Sequence, residues 1–329
     1  MTDYIMTARA ISNGAFTDDA AENVTFIAMP DAAPAPFTPA DASPSADAWL
    51  QQLIDDTPKQ TDGTGVERGD VLIFIHGYNN DISVVIERHR ILKRDLPAHG
   101  FVGTIVSFDW PCGDTALAYF PDRVKAKKTA FALVSDGIRR LAQGQVRFDC
   151  DLNVHLLAHS TGAYVVQEAF DDADDRPAIQ AANWTVSQIA FISADLAARS
   201  LVAGDSETES IFGHCVRLTN YANAFDQVLQ ISNVKRAGIE PRVGRVGLPD
   251  AAPTTAVNVD CSSYYRQVAS KRATGAAAIA ASHSWQFGDP VFTEDLAQTL
   301  NGDLDRSAIS TRVRGESANR FILFPPAGA

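Results

Sequence analysis

The stretch Val154-His155-Leu156-Leu157-Ala158-His159-Ser160-Thr161-Gly162-Ala163-Tyr164 decides how the rest of the chain is read. An apolar run suited to a strand ends in Ala-His-Ser-Thr-Gly, and a helix-compatible segment begins at once. A serine on so sharp a strand-to-helix turn takes a strained backbone conformation that lifts its hydroxyl clear of the sheet. Strand and helix pass close together there, so the residues two places on either side must be small. Gly162 meets that demand outright, and Ala158 is the smallest side chain that still carries a Cβ. Ser160 is therefore the candidate nucleophile.

A second signal lies upstream. Val71-Leu72-Ile73-Phe74-Ile75 is a continuous apolar run of the kind that fills a strand buried on both faces. It leads straight into His76-Gly77-Tyr78-Asn79-Asn80. A glycine there lets backbone approach a substrate oxygen closely. Paired with the residue after a nucleophilic serine, such a loop supplies the two amides of an oxyanion hole. Those donors would be the backbone N–H groups of Tyr78 and Thr161.

With these loops in view, the chain resembles the α/β-hydrolases, and more narrowly a bacterial family of them of unknown function. The matching segments are Phe74 to Asn79, Ser107-Phe108-Asp109-Trp110-Pro111, Leu157 to Gly162, Ile192-Ser193-Ala194-Asp195, Tyr221 through Asp226, and His283-Ser284-Trp285 followed by Asp289-Pro290. The likeness spans residues 65–300 and departs at Thr161, where the family often has methionine, and at Cys112. It implies a doubly wound, mostly parallel sheet with helices on both faces, and a Ser-His-acid triad. It supplies no substrate.

A serine nucleophile needs a base and the base an orienting carboxylate, in the chain order Ser, Asp or Glu, His for this fold. Beyond Ser160 the histidines are His214 and His283. His214 opens the strand-like Cys215-Val216-Arg217-Leu218, which puts it at the end of the sheet away from the strands' carboxyl ends, where such sites form. His283 follows the last strand candidate in a loop-like context and is the expected base. His76, His155 and His159 read as structural or as neighbours of the site. For the acid, Asp226 follows the second strand after the nucleophile and is favoured. Asp195, one strand earlier, is the alternative, though it could instead cap a helix near Leu196. Trp110, Tyr221, Trp285 and Phe287 sit on or near site-side loops and are candidates to line a pocket, or else ordinary core.

Composition fits an enzyme. The 329 residues are 46% hydrophobic and 21% charged, enough for one large α/β core. A net charge of −12 argues against nucleic acid, and disfavours a strongly anionic substrate unless the site has its own cation. Lys125, Lys127 and Lys128 read as the solvated face of a helix, and Asp171, Asp172, Asp174 and Asp175 as a solvated acidic run. No cofactor or metal is expected, since neither zinc-ligand spacing nor a phosphate-cradling glycine loop occurs. The four cysteines, Cys112, Cys150, Cys215 and Cys261, lack a C-x-x-C pair and read as free thiols, with Cys215 and Cys261 at opposite edges of the sheet. The amino terminus lacks signal-peptide features and no stretch approaches a transmembrane span, so the expected location is the cytoplasm of a bacterium, away from membranes.

The organisation expected is a single domain over 1–329. Residues 1–64 give edge strands (Tyr4–Ala8, Val24–Ala28), a Pro/Ala-rich loop and a short helix at Ala46–Ile54. Residues 65–300 hold the catalytic core, and 301–329 a tail that docks as a strand or meets a partner. Strands at 71–75, 103–108, 152–157 and 187–192 alternate with helices at 82–95, 121–142 and 162–170, and strands near 214–219 and 256–260 complete the sheet. Only a minimal lid fits between 193 and 213, while 262–281 could lie over the cleft. The chemistry expected is hydrolysis of carboxylic esters, with short to medium acyl groups or bulky alcohols. Thioesterase, amidase, acyltransferase and non-catalytic binding roles stay open, as does the oligomeric state.

Overall fold

The computed structural model describes residues 1–61, 65, 67–112, 119–141, 151–180, 184–234, 240–272 and 274–324. Its centre is β4 (Glu67–Ile75), whose side chains alternate between two apolar layers. Val71, Ile73 and Ile75 enter one core cluster, and Leu72 and Phe74 the other. The first cluster is closed by α1 (Ala46–Asp56), α3 (Tyr119–Ala132) and α4 (Gly162–Asp174), the second by α2 (Ile82–Ala98) and, late in the chain, by Pro290–Asn301. Helices on both faces explain why β4 reads as an unbroken hydrophobic run.

The described residues form one 11-stranded sheet. From β4 it extends one way through β5 (Gly103–Asp109), β1 (Thr2–Ser12) and β2 (Ala15–Pro30). The other way it runs through β6 (Asp151–His159), β7 (Val186–Ile192), β8 (Cys215–Ala222), β9 (Ala256–Asp260), β11 (Arg320–Leu323) and β10 (Arg312–Arg314). Pairing is parallel from β1 through to β11, and antiparallel for the outer pairs β1–β2 and β10–β11 and for the short β3 (Lys59–Thr61) on β4. All carboxyl ends of the parallel strands thus open on one side, and the site gathers there.

Several local readings change. The helix expected over 82–95 runs on through Pro97 to Ala98. The helix expected over 121–142 starts at Tyr119 and widens into a π-helical turn at Leu133–Ile138, where Gly137 lies against Met6. His283 is no loop residue: it lies in the last turn of a helix, α8, over Ala276–Ser284, as a run of alanines, the best helix formers, favours. Between β8 and α8 lie α6 (Gln227–Val234) and α7 (Ser262–Gln267), and between β7 and β8 the short α5 (Glu209–Gly213). The helix Pro290–Asn301 is α9.

Cys112, Cys215 and Cys261 are free and buried, and Cys150 falls outside the described residues. Cys215 opens β8 and Cys261 follows β9. Because β8 and β9 are neighbours, the two thiols sit at opposite ends of adjacent strands and not at opposite edges of the sheet. Among the described residues, no helix is long and apolar enough to cross a membrane.

The tail docks as a strand. β11 lies on β9, and Arg312 of β10 sends its guanidinium, with no exposed surface, onto Asp295 of α9 at 2.6 and 2.9 Å. Asp295 also accepts the hydroxyls of Tyr221 (2.7 Å) and Thr311 (2.6 Å). Removing one partner of a buried pair leaves the other charge uncompensated, at a cost of about 3–5 kcal/mol. Arg312→Met should lower the unfolding free energy in urea by about that amount. An unchanged midpoint and slope would contradict this anchoring of the tail.

Candidate active site

β6 delivers His159 to the carboxyl edge of the sheet, the chain turns at Ser160, and α4 begins at Gly162. Ser160 has φ of +56°, the left-handed region that side chains bearing Cβ avoid. The turn is held on both sides: Ser160 N–H donates to Ile192 carbonyl (3.0 Å), and the amides of Ala163 and Asp195 both donate to Ser160 carbonyl at 3.1 Å. The tightness falls on the glycines. A Cβ at Gly162 would sit 2.5 Å from Ile75 carbonyl oxygen, and one at Gly77 would sit 2.7 Å from Ser160 Cβ.

His283 reaches Ser160 from α8. Its Nε2 is 2.8 Å from Ser160 Oγ, and its Nδ1 is 2.7 Å from Asp226 Oδ2. Asp226 is wholly buried, and its other oxygen caps α6 by accepting Leu229 N–H at 2.9 Å. Residues 282–284 are each pinned from a different element. Asn223 Nδ2 donates to Ser282 carbonyl (3.2 Å), His159 Nε2 to His283 carbonyl (2.9 Å), and Arg88 to Ser284 Oγ (3.2 Å). His159 also stands with its ring 4.8 Å from that of His283. Burial, then the nearby Arg88 charge, then His283 hold the pKa of His159 well below the ordinary value, so it stays neutral beside its neighbour.

The loop after β4 is fixed from below. Gly77 carbonyl accepts from His76 Nδ1 (2.8 Å) and Asn80 Nδ2 (2.7 Å). Since the Gly77–Tyr78 peptide is trans and planar, the Tyr78 N–H points the opposite way from that carbonyl. His76 Nε2 lies 3.2 Å from Asp109, which also takes Thr7 Oγ1 at 2.6 Å and the Arg9 guanidinium at 2.9 Å. Burial opposes a charge on His76, but Asp109 and then Cys112 together outweigh it and raise the pKa to about 9. The Trp110 N–H, 3.1 Å from the same Nε2, can donate only to the unprotonated ring and pulls the other way.

The remaining candidates separate. The Asp195 carboxylate meets buried Arg242 at 3.2 Å, while the acid at His283 is Asp226. Trp110 has no exposed surface, stacks on His76 and donates to His76 carbonyl (2.8 Å), so it is core and lines no pocket. Tyr221 is likewise buried, tied to Asp295. Trp285 packs among Tyr264, Tyr265 and Phe292 in the second cluster, while Phe287 stays half-buried against Phe74, His159 and Arg88. Thr161 stands at the N-terminus of α4. His214 lies at the opposite end of the sheet, bound to Asp174 (2.8 Å). Among the described residues, no cluster of His, Cys, Asp or Glu is arranged to hold a metal.

Sequence reading missed Asn223, Arg88 and Gly244. Gly244 bridges the strand ends: its N–H donates to Ala194 carbonyl, its carbonyl accepts Asn223 N–H, and a Cβ there would lie 2.1 Å from Ala194 N. Only its glycine identity signals it, and the partners are 21 and 50 residues distant in the sequence.

A family model described as alpha/beta hydrolase of unknown function (DUF900) matches residues 56–258. The chain belongs to this family of α/β-hydrolases. The match takes in Ser160 and Asp226 and ends before His283. No curated protein matches. Among solved structures, similarity is found to a cutinase-like protein from Cryptococcus sp. (15% identity, 71% of this chain and 95% of that chain, TM-score 0.35). It is also found to a putative cell surface hydrolase from Lactobacillus plantarum WCFS1 (11%, 65% and 96%, 0.30) and to phospholipase PlaB from Legionella pneumophila (13%, 78% and 67%, 0.34).

The crowding at Gly162 sets a stability test. The atoms a Cβ would strike are backbone carbonyl oxygens of Ile75 and His76, which cannot swing aside. Gly162→Ala is expected to destabilise this α/β-hydrolase by about 1–3 kcal/mol, the usual range for overpacking. A wild-type melting temperature would show that strand and helix do not approach so closely.

Proposed function

We propose that the protein is a serine hydrolase acting on carboxylic esters through an acyl-enzyme. The observation that carries this reading is the unbroken chain of short contacts from Asp226 through His283 to Ser160, 2.7 and 2.8 Å, in the order the fold uses. Asp226 accepts the Nδ1–H of His283, which leaves Nε2 unprotonated and facing the serine hydroxyl.

In the proposed mechanism Ser160 Oγ attacks the ester carbonyl as its proton passes to His283 Nε2. The Tyr78 and Thr161 amides receive the negative charge that develops on the carbonyl oxygen. His283 then returns the proton to the departing alcohol, and water repeats the sequence on the acyl-serine. The orientation of the Gly77–Tyr78 peptide and the position of Thr161 at the head of α4 both support these amides as donors. Asp226 balances the imidazolium, and neutral His159 adds no like charge against it. Ser160 is 6% and His283 7% exposed, a narrow opening that favours slim acyl chains of short or medium length. A cytoplasmic setting belongs to the same proposal.

Hydrolysis of 4-nitrophenyl butyrate tests the assignment of roles. Asp226→Asn should fold normally yet lower kcat by about 10²–10⁴, since the imidazole loses the partner that fixes its tautomer. Asp195→Asn should act on stability through Arg242 and leave turnover of the folded fraction within a few-fold. The reverse pattern would move the acid to Asp195 and overturn the assignment.

A further inference from the structure

Among the described residues, Arg88 is a cation with no acid in direct contact. It projects from the second turn of α2, half-buried, beneath the helix that carries His283. Its contacts are His159 Nδ1 (3.3 Å), Ser284 Oγ (3.2 Å) and the face of Phe287 (4.7 Å), all of them uncharged. No carboxylate among the described residues lies within ion-pair distance of it. The fully buried arginines differ: Arg9 meets Asp109, Arg242 meets Asp195, and Arg312 meets Asp295. A guanidinium carries five donors, so most of this fork has no acceptor among the described residues.

Burial lowers the pKa of Arg88 to about 10, though the neighbouring Glu87 charge opposes the shift, and the group stays far above neutrality. The charge is also close to the reacting centre. From Arg88 the steps are 3.3 Å to His159 Nδ1, 2.9 Å from there to the position a Cβ on Gly77 would take, and 2.7 Å on to Ser160 Cβ. In a chain of net charge −12, this is a local exception to a field that repels anions.

We propose that Arg88 is an anion subsite of the Ser160 centre, which selects esters carrying one carboxylate on a slim acyl chain. The inference rests on the ester-hydrolase reading above. A lone guanidinium fork matches a carboxylate in geometry and in charge, and balances a monoanion better than a phosphomonoester dianion. The apolar face of Phe287, against which the guanidinium stacks, would flank the methylenes between the scissile carbonyl and the carboxylate. His159, neutral and accepting from Arg88, offers such a ligand no competing charge.

The test compares 4-nitrophenyl hydrogen adipate, a monoanion, with its neutral methyl ester. The wild-type protein should favour the anion in kcat/KM, and Arg88→Gln should lower the anion-to-neutral ratio at least tenfold, with part of it returning in Arg88→Lys. A brace that only steadies His159 and Ser284 would lower both rates by the same factor, and that result would overturn the proposal, as would a wild type without preference. Calorimetric titration with monomethyl adipate and dimethyl adipate, on a Ser160→Ala background that cannot turn them over, gives a second readout free of catalysis. Binding of the half-ester, tighter than the diester and weakened tenfold or more in Arg88→Gln, supports the subsite; equal binding rejects it. A protein that binds the half-ester through Arg88 yet hydrolyses neither nitrophenyl ester would keep the subsite and refute the triad reading instead.

Discussion

The close approach of β4's end to the Ser160 turn is the constraint on which the site depends. Two backbones can cross there only because neither Gly162 nor Gly77 has a side chain: the first leaves room for the carbonyls of Ile75 and His76, the second for Ser160 itself. That crossing forces Ser160 to φ of +56° and brings the His-Gly-Tyr loop against the serine. Strain of about 1–3 kcal/mol at such a residue persists only when the surroundings over-determine it. Here they do, through bonds to Ile192, Ala163 and Asp195 and through the core packing of β6 and α4.

A second layer of buried polar contacts keeps both sides of the cleft in register. On one side, Arg9, Thr7 and His76 converge on Asp109, and His76 in turn holds the Gly77 carbonyl. This ties the amino-terminal hairpin at the sheet's edge directly to the loop beneath the serine. On the other side, Asn223, His159 and Arg88 pin three consecutive residues around His283. A base on the last turn of a helix would otherwise fray, since terminal carbonyls lack helical partners.

The fold was legible because periodicity and turn chemistry are local. The apolar runs at 71–75, 152–157 and 187–192 announce strands covered on both faces, and the helices between them announce parallel crossovers. The two glycine loops were legible for the same reason. Pairings between distant residues were not. Nothing in the residues flanking Arg88 tells that no described carboxylate lies within ion-pair distance of it, because its contacts with His159 and Ser284 are set by tertiary structure. Gly244 and Asn223 likewise matter only once β7, β8 and α8 are side by side. Trp110 stayed open for a different reason: an aromatic at a strand end can face the cleft or the layer beneath it, and its indole N–H found a carbonyl underneath. His283 was expected in a loop because serines and the aromatic Trp285 and Phe287 surround it, yet the alanine run carries its helix on through Ser284.

The account stands or falls on whether Ser160 is activated. Intact mass after treatment with a fluorophosphonate measures this without any choice of substrate. One adduct per chain on the wild type, absent from folded Ser160→Ala, is the predicted result. No adduct on the folded wild type, or an adduct that survives in Ser160→Ala, would contradict it.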